Sequence, residues 1–289
     1  MKFKLSRLPL NRLSKATVLS HKPAGRGYYR IVLNAPEIAS GARPGQFVML
    51  RVSENLDPLL ARPFGISDVP AKSAIEILYR VVGKGTTMLT GRKVGEKLVV
   101  LGPLGRGFPL PDKGKTLVMV AGGSGFPPLH FLSQRVGCSS HLFLGSRDRE
   151  CLPPTGILRN FRNSCTRVHI ATEDGSMGSQ GMTTDILNAF VTKLERKFNI
   201  VLCACGPHSM LAAVSRIANL HAIPCYVSME ERMACGLGVC MGCSIPMKGG
   251  GYKRACKEGP VFDAQEIDWS ETVSLPFPQL RKQVNTSER

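Results

Sequence analysis

Four cysteines in the last fifth of the chain have the spacing of a metal-cluster site. Cys235, Cys240 and Cys243 fall within nine residues and Cys256 follows, which gives the pattern C-x4-C-x2-C-x12-C. The x4 and x2 intervals are those of plant-type [2Fe–2S] sites, where four thiolates hold a one-electron carrier. Glycines between the cysteines would let backbone N–H groups approach the cluster. The spacing therefore predicts an iron–sulfur cluster and single-electron transfer.

Two other uses of these cysteines stay open at this point. Zinc also takes four cysteines, but its sites more often combine two C-x2-C pairs, and this segment has one. Structural thiols are the third alternative, whereas disulfides are disfavoured because nothing else in the chain resembles a secreted protein. The remaining cysteines are scattered, and we interpret them as buried free thiols in a reducing compartment. They are Cys138, Cys151, Cys165, Cys203, Cys205 and Cys225.

The length of 289 residues predicts two domains with room for a small third. No apolar run reaches the roughly 18 residues of a membrane helix, so no membrane span is expected. The basic start, residues 1–7, is not followed by the apolar segment of a secretory signal. We therefore expect a cytoplasmic protein.

The chain is strongly basic, with a formal net charge of +17. Residues 1–30 carry eight basic side chains and no acidic one. No nucleic-acid-binding motif accompanies this charge, so no nucleic-acid partner is expected. This positive charge would serve docking to an acidic partner or binding of phosphate-rich cofactors. The alternative is a solvated basic surface without a specific partner.

The first part of the chain has the pattern of an antiparallel barrel. Short strands with alternating apolar and polar residues are separated by turn signals, with few helical patterns between them. The predicted strands are Tyr29–Leu33, Gln46–Val52, Ala74–Val82 and Lys97–Leu101. We therefore predict a β-barrel domain over residues 10–110.

The pattern then changes to alternating strands and helices. Continuous apolar runs, typical of buried parallel strands, alternate with helical periodicity, which predicts a doubly wound α/β domain over residues 111–228. The strands are Lys115–Ala121, His141–Gly145, Arg167–Ala171 and Ile200–Cys205, and the helices are Thr183–Lys197 and His208–His221. A cluster segment over 229–266 and a polar tail over 267–289 complete the prediction.

Two glycine turns follow strands of the second domain. Gly122, Gly123 and Gly125 stand between a strand and a helix, and Cys205-Gly206-Pro207 ends another strand. Turns at the carboxyl ends of parallel strands form the crevice where nucleotides bind in open sheets. The first turn is not a complete G-x-G-x-x-G, so an ordinary tight turn is the alternative.

The first domain carries its own candidate anion site. Arg62 can pair with a phosphate, and Gly85 and Thr86 can offer N–H and hydroxyl donors to a pyrophosphate. Phe64 could pack on a flavin ring. Taken singly, each has an ordinary alternative: Arg62 as a surface arginine, Phe64 as a core phenylalanine, and Gly85 and Thr86 as parts of a plain turn.

These motifs, in this order, resemble the ferredoxin reductase superfamily, and more closely the electron-transfer subunits of type B dihydroorotate dehydrogenases. The resemblance covers about residues 15–265 and is most specific around the cluster cysteines. The matching segments are Leu60–Phe64, Ile77–Thr86, Gly102–Gly105, Ala121–Pro128, Cys205–Pro207, Glu231–Gly236 and Tyr252–Pro260. It implies an antiparallel β-barrel FAD domain, an α/β doubly wound nucleotide-binding domain and a C-terminal [2Fe–2S] loop subdomain.

The resemblance also implies roles for individual residues. Those at the flavin would be Arg62, Pro63, Phe64, Gly65, Leu78, Tyr79, Arg80, Gly85 and Thr86. Those at the nicotinamide nucleotide would be Gly122, Gly123, Gly125, Cys205, Gly206 and Pro207. The cluster ligands would be Cys235, Cys240, Cys243 and Cys256. The superfamily often has a serine at the position of Gly65, next to flavin N5; here the Gly65 N–H or Ser67 would take its place.

The implied function is electron transfer between NAD(P)H, FAD and the [2Fe–2S] cluster. The implied partner is an FMN-carrying catalytic subunit that oxidises dihydroorotate in pyrimidine biosynthesis, in a heterotetramer. This chain itself shows no general base for that oxidation. Glu230 and Glu231 precede the cluster loop. The sequence leaves open whether they have surface roles or influence the flavin. The alternatives are a ferredoxin–NADP reductase-like, hydrogenase or sulfite reductase electron-transfer subunit, and a non-enzymatic iron–sulfur redox sensor.

Overall fold

Two seven-stranded sheets, one after the other along the chain, form the body of the protein. A computed structural model describes residues 12–112, 114–136, 140–163, 166–194 and 199–270. The basic residues 1–11, the end of the predicted tail beyond 270, and Cys138 and Cys165 lie outside the described residues. The predicted combination of an antiparallel domain, an α/β domain and a cluster segment is confirmed.

The first sheet is antiparallel throughout, with the strand order β4-β3-β7-β1-β2-β6-β5. Its strands are β1 (Arg12–Gly25), β2 (Tyr28–Asn34), β3 (Phe47–Leu50), β4 (Arg62–Gly65), β5 (Asp68–Ala71), β6 (Ala74–Arg80) and β7 (Lys97–Leu104). Two short helices accompany it, α1 (Pro36–Ala39) and α2 (Lys84–Thr90).

Alternating side chains fill the interior of this sheet. In β2, Ile31 and Leu33 are fully buried, and they pack with Val48, Ile77 and Val100 from neighbouring strands. The long first strand was not predicted, because Lys, Ser, His and Pro interrupt its apolar alternation. The helix α2 was predicted as a glycine turn, because its Gly-Thr-Thr sequence has low helix propensity.

The second sheet has the order β11-β10-β9-β8-β12-β13-β16 and is parallel except for its last strand. Its strands are β8 (Thr116–Gly122), β9 (Ser140–Ser146), β10 (Thr166–Thr172), β11 (Ser179–Gln180), β12 (Ile200–Cys205), β13 (Cys225–Ser228) and β16 (Val261–Asp263). The helices are α3 (Pro127–Arg135), α4 (Thr155–Asn163), α5 (Thr183–Thr192) and α6 (His208–Leu220). A 3-10 turn spans Arg149–Cys151.

The central strands of this sheet are buried on both faces. All six residues of β12 are buried, as expected of a parallel strand covered by helices on both sides. The antiparallel edge strand β16 pairs with β13 and so attaches the segment after the cysteine loop to the sheet. A small ribbon of β14 (Ser244–Pro246) and β15 (Tyr252–Arg254) lies between the last two cysteines.

Within the described ranges, no helix combines the length and the apolar character that a membrane span requires.

Candidate flavin and cluster site

A cleft of about 540 Å³ opens between the two sheets. This volume lies within the roughly 300–1,000 Å³ range of small-molecule sites. Ten of the predicted cofactor residues line the cleft: Arg62, Pro63, Phe64, Gly65, Leu78, Tyr79, Arg80, Gly85, Thr86 and Cys205. The structure therefore brings together residues that are separated by up to 143 positions in the chain.

The side of the cleft formed by the first sheet has a ready anion cradle. A Cβ atom on Gly85 would come within 3.1 Å of the Arg62 Nε, so the arginine lies close along this glycine turn. The Arg62 Nη1 donates a hydrogen bond to the Leu60 carbonyl at 2.7 Å, which fixes the guanidinium. An oriented arginine beside a glycine turn suits a dinucleotide pyrophosphate.

Thr86 has a structural use in this turn. Its hydroxyl accepts hydrogen bonds from the backbone N–H groups of Val82, at 2.9 Å, and Gly83, at 3.1 Å. It also donates to the Gly83 carbonyl at 2.8 Å. The hydroxyl thus closes the first turn of α2, a role that the sequence did not reveal.

Aromatic side chains shape the wall beside this cradle. Phe64 meets Tyr79 edge to face, with ring centroids 5.6 Å apart. The Tyr79 hydroxyl lies 2.9 Å from the His21 Nε2, and its ring also stacks on Tyr29. Burial raises the pKa of Tyr79, so it stays a neutral phenol.

The Gly65 N–H and Ser67 are the two groups suggested to replace the superfamily serine, and the structure places them differently. Gly65 lines the cleft, whereas Ser67 is fully buried and hydrogen-bonds to Glu76, at 3.1 Å to its carbonyl and 3.2 Å to its carboxylate. The suggestion that Ser67 could serve the flavin is therefore wrong. Ser67 is one residue beyond β4, and the pleat of the chain turns it into the barrel core instead.

The two glycine turns of the second sheet pack against each other. A Cβ on Gly125 would collide with the Cys205 carbonyl, and one on Gly206 would come within 2.9 Å of the Gly122 N. Of these turns, only Ser124 and Cys205 line the cleft. Five predicted nucleotide residues, Gly122, Gly123, Gly125, Gly206 and Pro207, are thus not among the lining residues.

The wall formed by the second sheet contributes polar groups. Cys205 is buried, and burial raises the pKa of its thiol well above the usual value. The Glu230 side chain reaches the cleft, where the surrounding protein raises the pKa of its carboxyl and His208 opposes that effect. Glu230 lines the cleft and is exposed there, so a surface role and an influence on the flavin both stay open.

Tyr28 lines the cleft and was missed entirely. Its ring packs against Phe126 at 5.4 Å between centroids, and the Arg80 guanidinium lies 5.9 Å from its centroid. Its hydroxyl is buried without a hydrogen-bond partner among the described atoms. No local signal distinguishes Tyr28 from Tyr29 in the sequence.

The four predicted cluster cysteines lie in one loop region as two pairs. Cys235 and Cys240 share a side-chain hydrogen bond, and so do Cys243 and Cys256. Over the described ranges, no three His, Cys, Asp or Glu side chains are placed to hold a metal ion. As placed, two thiol pairs suit a binuclear cluster, with two ligands for each iron, better than one tetrahedral zinc.

The two pairs differ in their surroundings. Burial alone would raise the pKa of Cys235, but hydrogen bonds from the N–H groups of Cys240, Leu237 and Val239 lower it to about 6. Burial and a hydrogen bond with Cys243 raise the pKa of Cys256 to about 12. Cys240 is exposed, while Cys243 and Cys256 are buried. The loop therefore presents one pair of thiols to the surface.

An arginine holds the cysteine loop closed. The Arg254 Nη1 donates to the Gly238 carbonyl at 2.6 Å, and its Nε donates to Glu258 at 2.9 Å. The Arg254 Nη2 donates to the same carboxylate, and this bidentate pair lowers the pKa of the Glu258 carboxyl to about 2. Gly236 turns with φ +69°, and a side chain there would meet Met49. The loop is thus attached both to its own ribbon and to the first sheet.

Comparison with known proteins places this arrangement among electron-transfer flavoproteins. Residues 230–268 match the iron–sulfur cluster binding domain of dihydroorotate dehydrogenase B. The dihydroorotate dehydrogenase B (NAD(+)) electron transfer subunit of Desulforamulus reducens is 38% identical, over 90% of this chain and 100% of that protein. The subunit of the same name from Geobacillus sp. is 36% identical, over 87% of this chain and 96% of its own length.

Solved structures show the same architecture. An NADH-dependent reduced ferredoxin-NADP oxidoreductase, described in a study of flavin-based electron bifurcation, superposes with a TM-score of 0.77 at 27% identity. That match covers 90% of this chain and 92% of the other. Ferredoxin-NADP+ reductase from Plasmodium falciparum shares the fold, with a TM-score of 0.58 at 15% identity over 72% of this chain and 91% of its own.

Proposed function

Because the chain belongs to the family of dihydroorotate dehydrogenase B electron transfer subunits, we propose that it carries electrons between a nicotinamide nucleotide and a separate catalytic subunit. It is an oxidoreductase subunit that works with FAD, NAD(H) and a [2Fe–2S] cluster. The observation that carries this proposal is the placement of one cleft, lined by both sheets, beside one four-cysteine loop. The ferredoxin–NADP reductase-like alternative has a match of similar coverage but lower identity, 27% against 38%, so the dihydroorotate dehydrogenase assignment is preferred.

The residues divide the work as follows. A bound FAD would supply hydride exchange with the nicotinamide nucleotide and single-electron exchange with the cluster. Arg62 and Gly85 would hold the flavin dinucleotide by its pyrophosphate, and Gly65, which lines the cleft, would offer its backbone N–H to the ring. Cys205 and Ser124 would stand where the nicotinamide reaches the cleft. The cysteines Cys235, Cys240, Cys243 and Cys256 would bind the cluster.

The division of the chain follows from these roles. We assign residues 10–110 to the flavin, 111–228 to the nicotinamide nucleotide and 229–266 to the cluster, with 267–289 as a tail. The pairing of β16 with β13 supports a close attachment of the cluster segment to the nucleotide-binding sheet. This attachment would keep the cluster at a fixed distance from the cleft.

The finer features of the assembly are also part of the proposal. The partner would carry FMN and oxidise dihydroorotate, and two copies of each chain would form a heterotetramer. The cytoplasm would be the compartment, since all eight described cysteines are free thiols and disulfides do not persist in a reducing environment.

The order of electron transfer can be tested by removing one exposed ligand. In Cys240→Ala, NADH should still reduce bound FAD, while electron transfer to or from the catalytic subunit should fall at least about 100-fold, because one cluster ligand is missing. Rapid-mixing absorption at flavin and cluster wavelengths measures both steps.

Cys151→Ala is the matched control, since Cys151 is a partly exposed thiol outside the cysteine loop. It should leave both steps unchanged. If the purified wild-type protein holds zinc and no flavin, or if Cys240→Ala transfers electrons to the partner at the wild-type rate, the proposed function is wrong.

A further inference from the structure

Helix α3 packs against both sheets. It follows β8 of the α/β domain, and its first two residues, Pro127 and Pro128, line the cleft. One turn later the helix faces the first sheet, because Phe131 is fully buried in the hydrophobic core of the barrel. The helix that forms part of the cleft wall is therefore packed into the domain that we assign to the flavin.

His130 adds a directed contact to this packing. Its Nδ1 lies 3.0 Å from the Ser67 carbonyl oxygen, and both residues are buried. A carbonyl oxygen only accepts hydrogen bonds, so Nδ1 carries the proton and donates it. Ser67 stands between β4 and β5, two residues after Gly65. The hydrogen bond thus joins α3 to the barrel segment that directly follows the cleft-lining strand β4.

Both partners of this hydrogen bond are held by further contacts. The imidazole of His130 meets the ring of Phe161 in α4 edge to face, with centroids 5.1 Å apart. On the other side, the Ser67 N–H donates to the Glu76 carbonyl at 2.9 Å, and the Ser67 hydroxyl donates to the same carbonyl at 3.1 Å. The bond from His130 to Ser67 therefore fixes the distance between α3 and the barrel.

This distance matters at Gly65, where the flavin ring is expected. A Cβ on Gly65 would lie 3.8 Å from the Pro128 Cδ, so the start of α3 passes directly beside it. Ser124, in the turn before α3, lines the same cleft. The separation of a nicotinamide beside Ser124 from a flavin beside Gly65 thus depends on where α3 sits on the barrel. A misplacement of about 1 Å between reacting groups can slow a reaction about 100-fold.

We propose that His130 is a positioning residue for hydride exchange, because its hydrogen bond to the Ser67 carbonyl sets the position of α3 relative to the flavin strand. The inference rests on the proposed function, in which NADH gives up a hydride, with both of its electrons, to FAD and becomes NAD+. His130 is not among the residues that line the cleft, so it acts through the helix rather than by touching either nucleotide.

His130→Leu and His130→Asn separate this role from packing and helix stability. Leucine favours a helix but cannot donate to Ser67, whereas asparagine favours a helix less but places an amide N–H near the position of Nδ1. In the full chain with bound FAD, His130→Leu should lower the rate of FAD reduction at saturating NADH about 10-fold or more, and His130→Asn should stay within about threefold of wild type. Helix propensity alone would rank the two variants the other way. Rapid-mixing absorption measures the rate.

The dissociation constant of NAD+ is the second measurement, made by equilibrium titration of the same FAD-loaded proteins. It should stay within about twofold of wild type in both variants, because the turn before α3 is unchanged and only its position relative to the barrel differs. Gln134→Leu is the matched control, since Gln134 is exposed on the same helix, and it should leave both the rate and the dissociation constant unchanged.

His130→Gln replaces His130→Leu in the test if the leucine variant does not fold. Its longer side chain carries the amide to the place of Nε2 rather than Nδ1, so the bond to Ser67 is lost. The inference is overturned if the folded variant without this bond reduces FAD at the wild-type rate, or if His130→Asn is slowed as much as that variant. Failure of both NADH and NADPH to reduce FAD bound to the wild-type chain would instead refute the proposed function.

Discussion

Arg254 is the single residue that most directly keeps the cysteine loop in shape. Its guanidinium joins Glu258, two residues after the last cysteine, to the Gly238 carbonyl between the first two. Such charge-assisted hydrogen bonds are stronger than neutral ones, particularly when the groups are partly buried. The same loop turns amide N–H groups toward Cys235, so the ligands and their supports form one unit.

Replacement of Arg254 by methionine should loosen this loop. We expect Arg254→Met to lower the free energy of unfolding by about 2 kcal/mol, because hydrogen bonds to charged groups are worth about 1.5–3 kcal/mol. The cluster should also be lost several times faster. Urea unfolding measures the first effect, and the decay of cluster absorbance in the presence of a chelator measures the second.

Lys253→Met is the control at the neighbouring position. Lys253 pairs with Glu266 on the surface, where both side chains are well exposed, so its loss should cost less than about 1 kcal/mol. Equal cluster loss in the two variants would contradict the role given to Arg254.

At the scale of elements, the β8–α3 and β12–α6 connections depend on each other. Gly125 follows β8, and its Cα faces the Cys205 carbonyl at the end of β12, with no room for a methyl group. Gly122 likewise lies against Pro207 and Met210 at the start of α6. The glycines therefore let two strand ends approach closely, and Cys205 reaches the cleft because of that approach.

Gly125→Ala should separate these two connections. The added methyl would collide with backbone atoms that cannot move independently, so we expect a loss of about 3 kcal/mol in unfolding free energy. Nicotinamide nucleotide binding should weaken as well, because Cys205 and Ser124 would shift. Chemical denaturation and equilibrium titration with NAD+ are the measurements.

Gly156→Ala in α4 provides the comparison. A Cβ there meets nothing within 4 Å, so the variant should be as stable as wild type or up to about 1 kcal/mol more stable. If Gly125→Ala behaves in the same way, the packing explanation for these glycines is wrong.

At the scale of the whole molecule, the cleft lies between two sheets that are formed by different parts of the chain. The first sheet contributes the arginine and the aromatic wall, and the second contributes Cys205 and Glu230. The Arg26 guanidinium, which follows β1, donates a hydrogen bond to the Arg149 carbonyl of the α/β domain at 2.6 Å. A dinucleotide in this cleft would add contacts to both sheets at once.

Removal of FAD should therefore lower the stability of the folded protein. A ligand at 100 times its dissociation constant stabilises the state that binds it by about 2.7 kcal/mol. For a chain of this size, that corresponds to a rise of about 4 °C in the thermal midpoint. Differential scanning fluorimetry of the flavin-free protein, with and without added FAD, measures the difference.

Arg62→Ala should reduce this stabilisation, since its guanidinium forms the anion cradle beside Gly85. A thermal midpoint that rises equally with FAD in Arg62→Ala and wild type would show that the cradle does not hold the flavin.

Much of the architecture could be predicted from local patterns. Strand β12 matched its predicted range at both ends, because an uninterrupted apolar run bounded by polar residues and a Gly-Pro turn has few alternatives. The cluster segment could be predicted because the spacing of its cysteines is local, and residues 230–268 match an iron–sulfur cluster binding domain. By contrast, the long β1 and the small strands after Cys205 were missed, since pairing with other segments, rather than propensity, stabilises them. The helix α2 was missed because its Gly-Thr-Thr sequence has low helix propensity.

The sequence by itself determined the family and the order of barrel, α/β domain and cluster segment, and it predicted the four cysteine ligands, because these depend on residue types at short spacing. Only the tertiary structure decided which residues face the cleft. It turned Ser67 into the core, brought Glu230 and Tyr28 to the wall, and placed Gly122 and Gly125 in close contact with the segment from Cys205 to Met210. The direction of a side chain depends on contacts between segments far apart in the chain, and no local pattern records them.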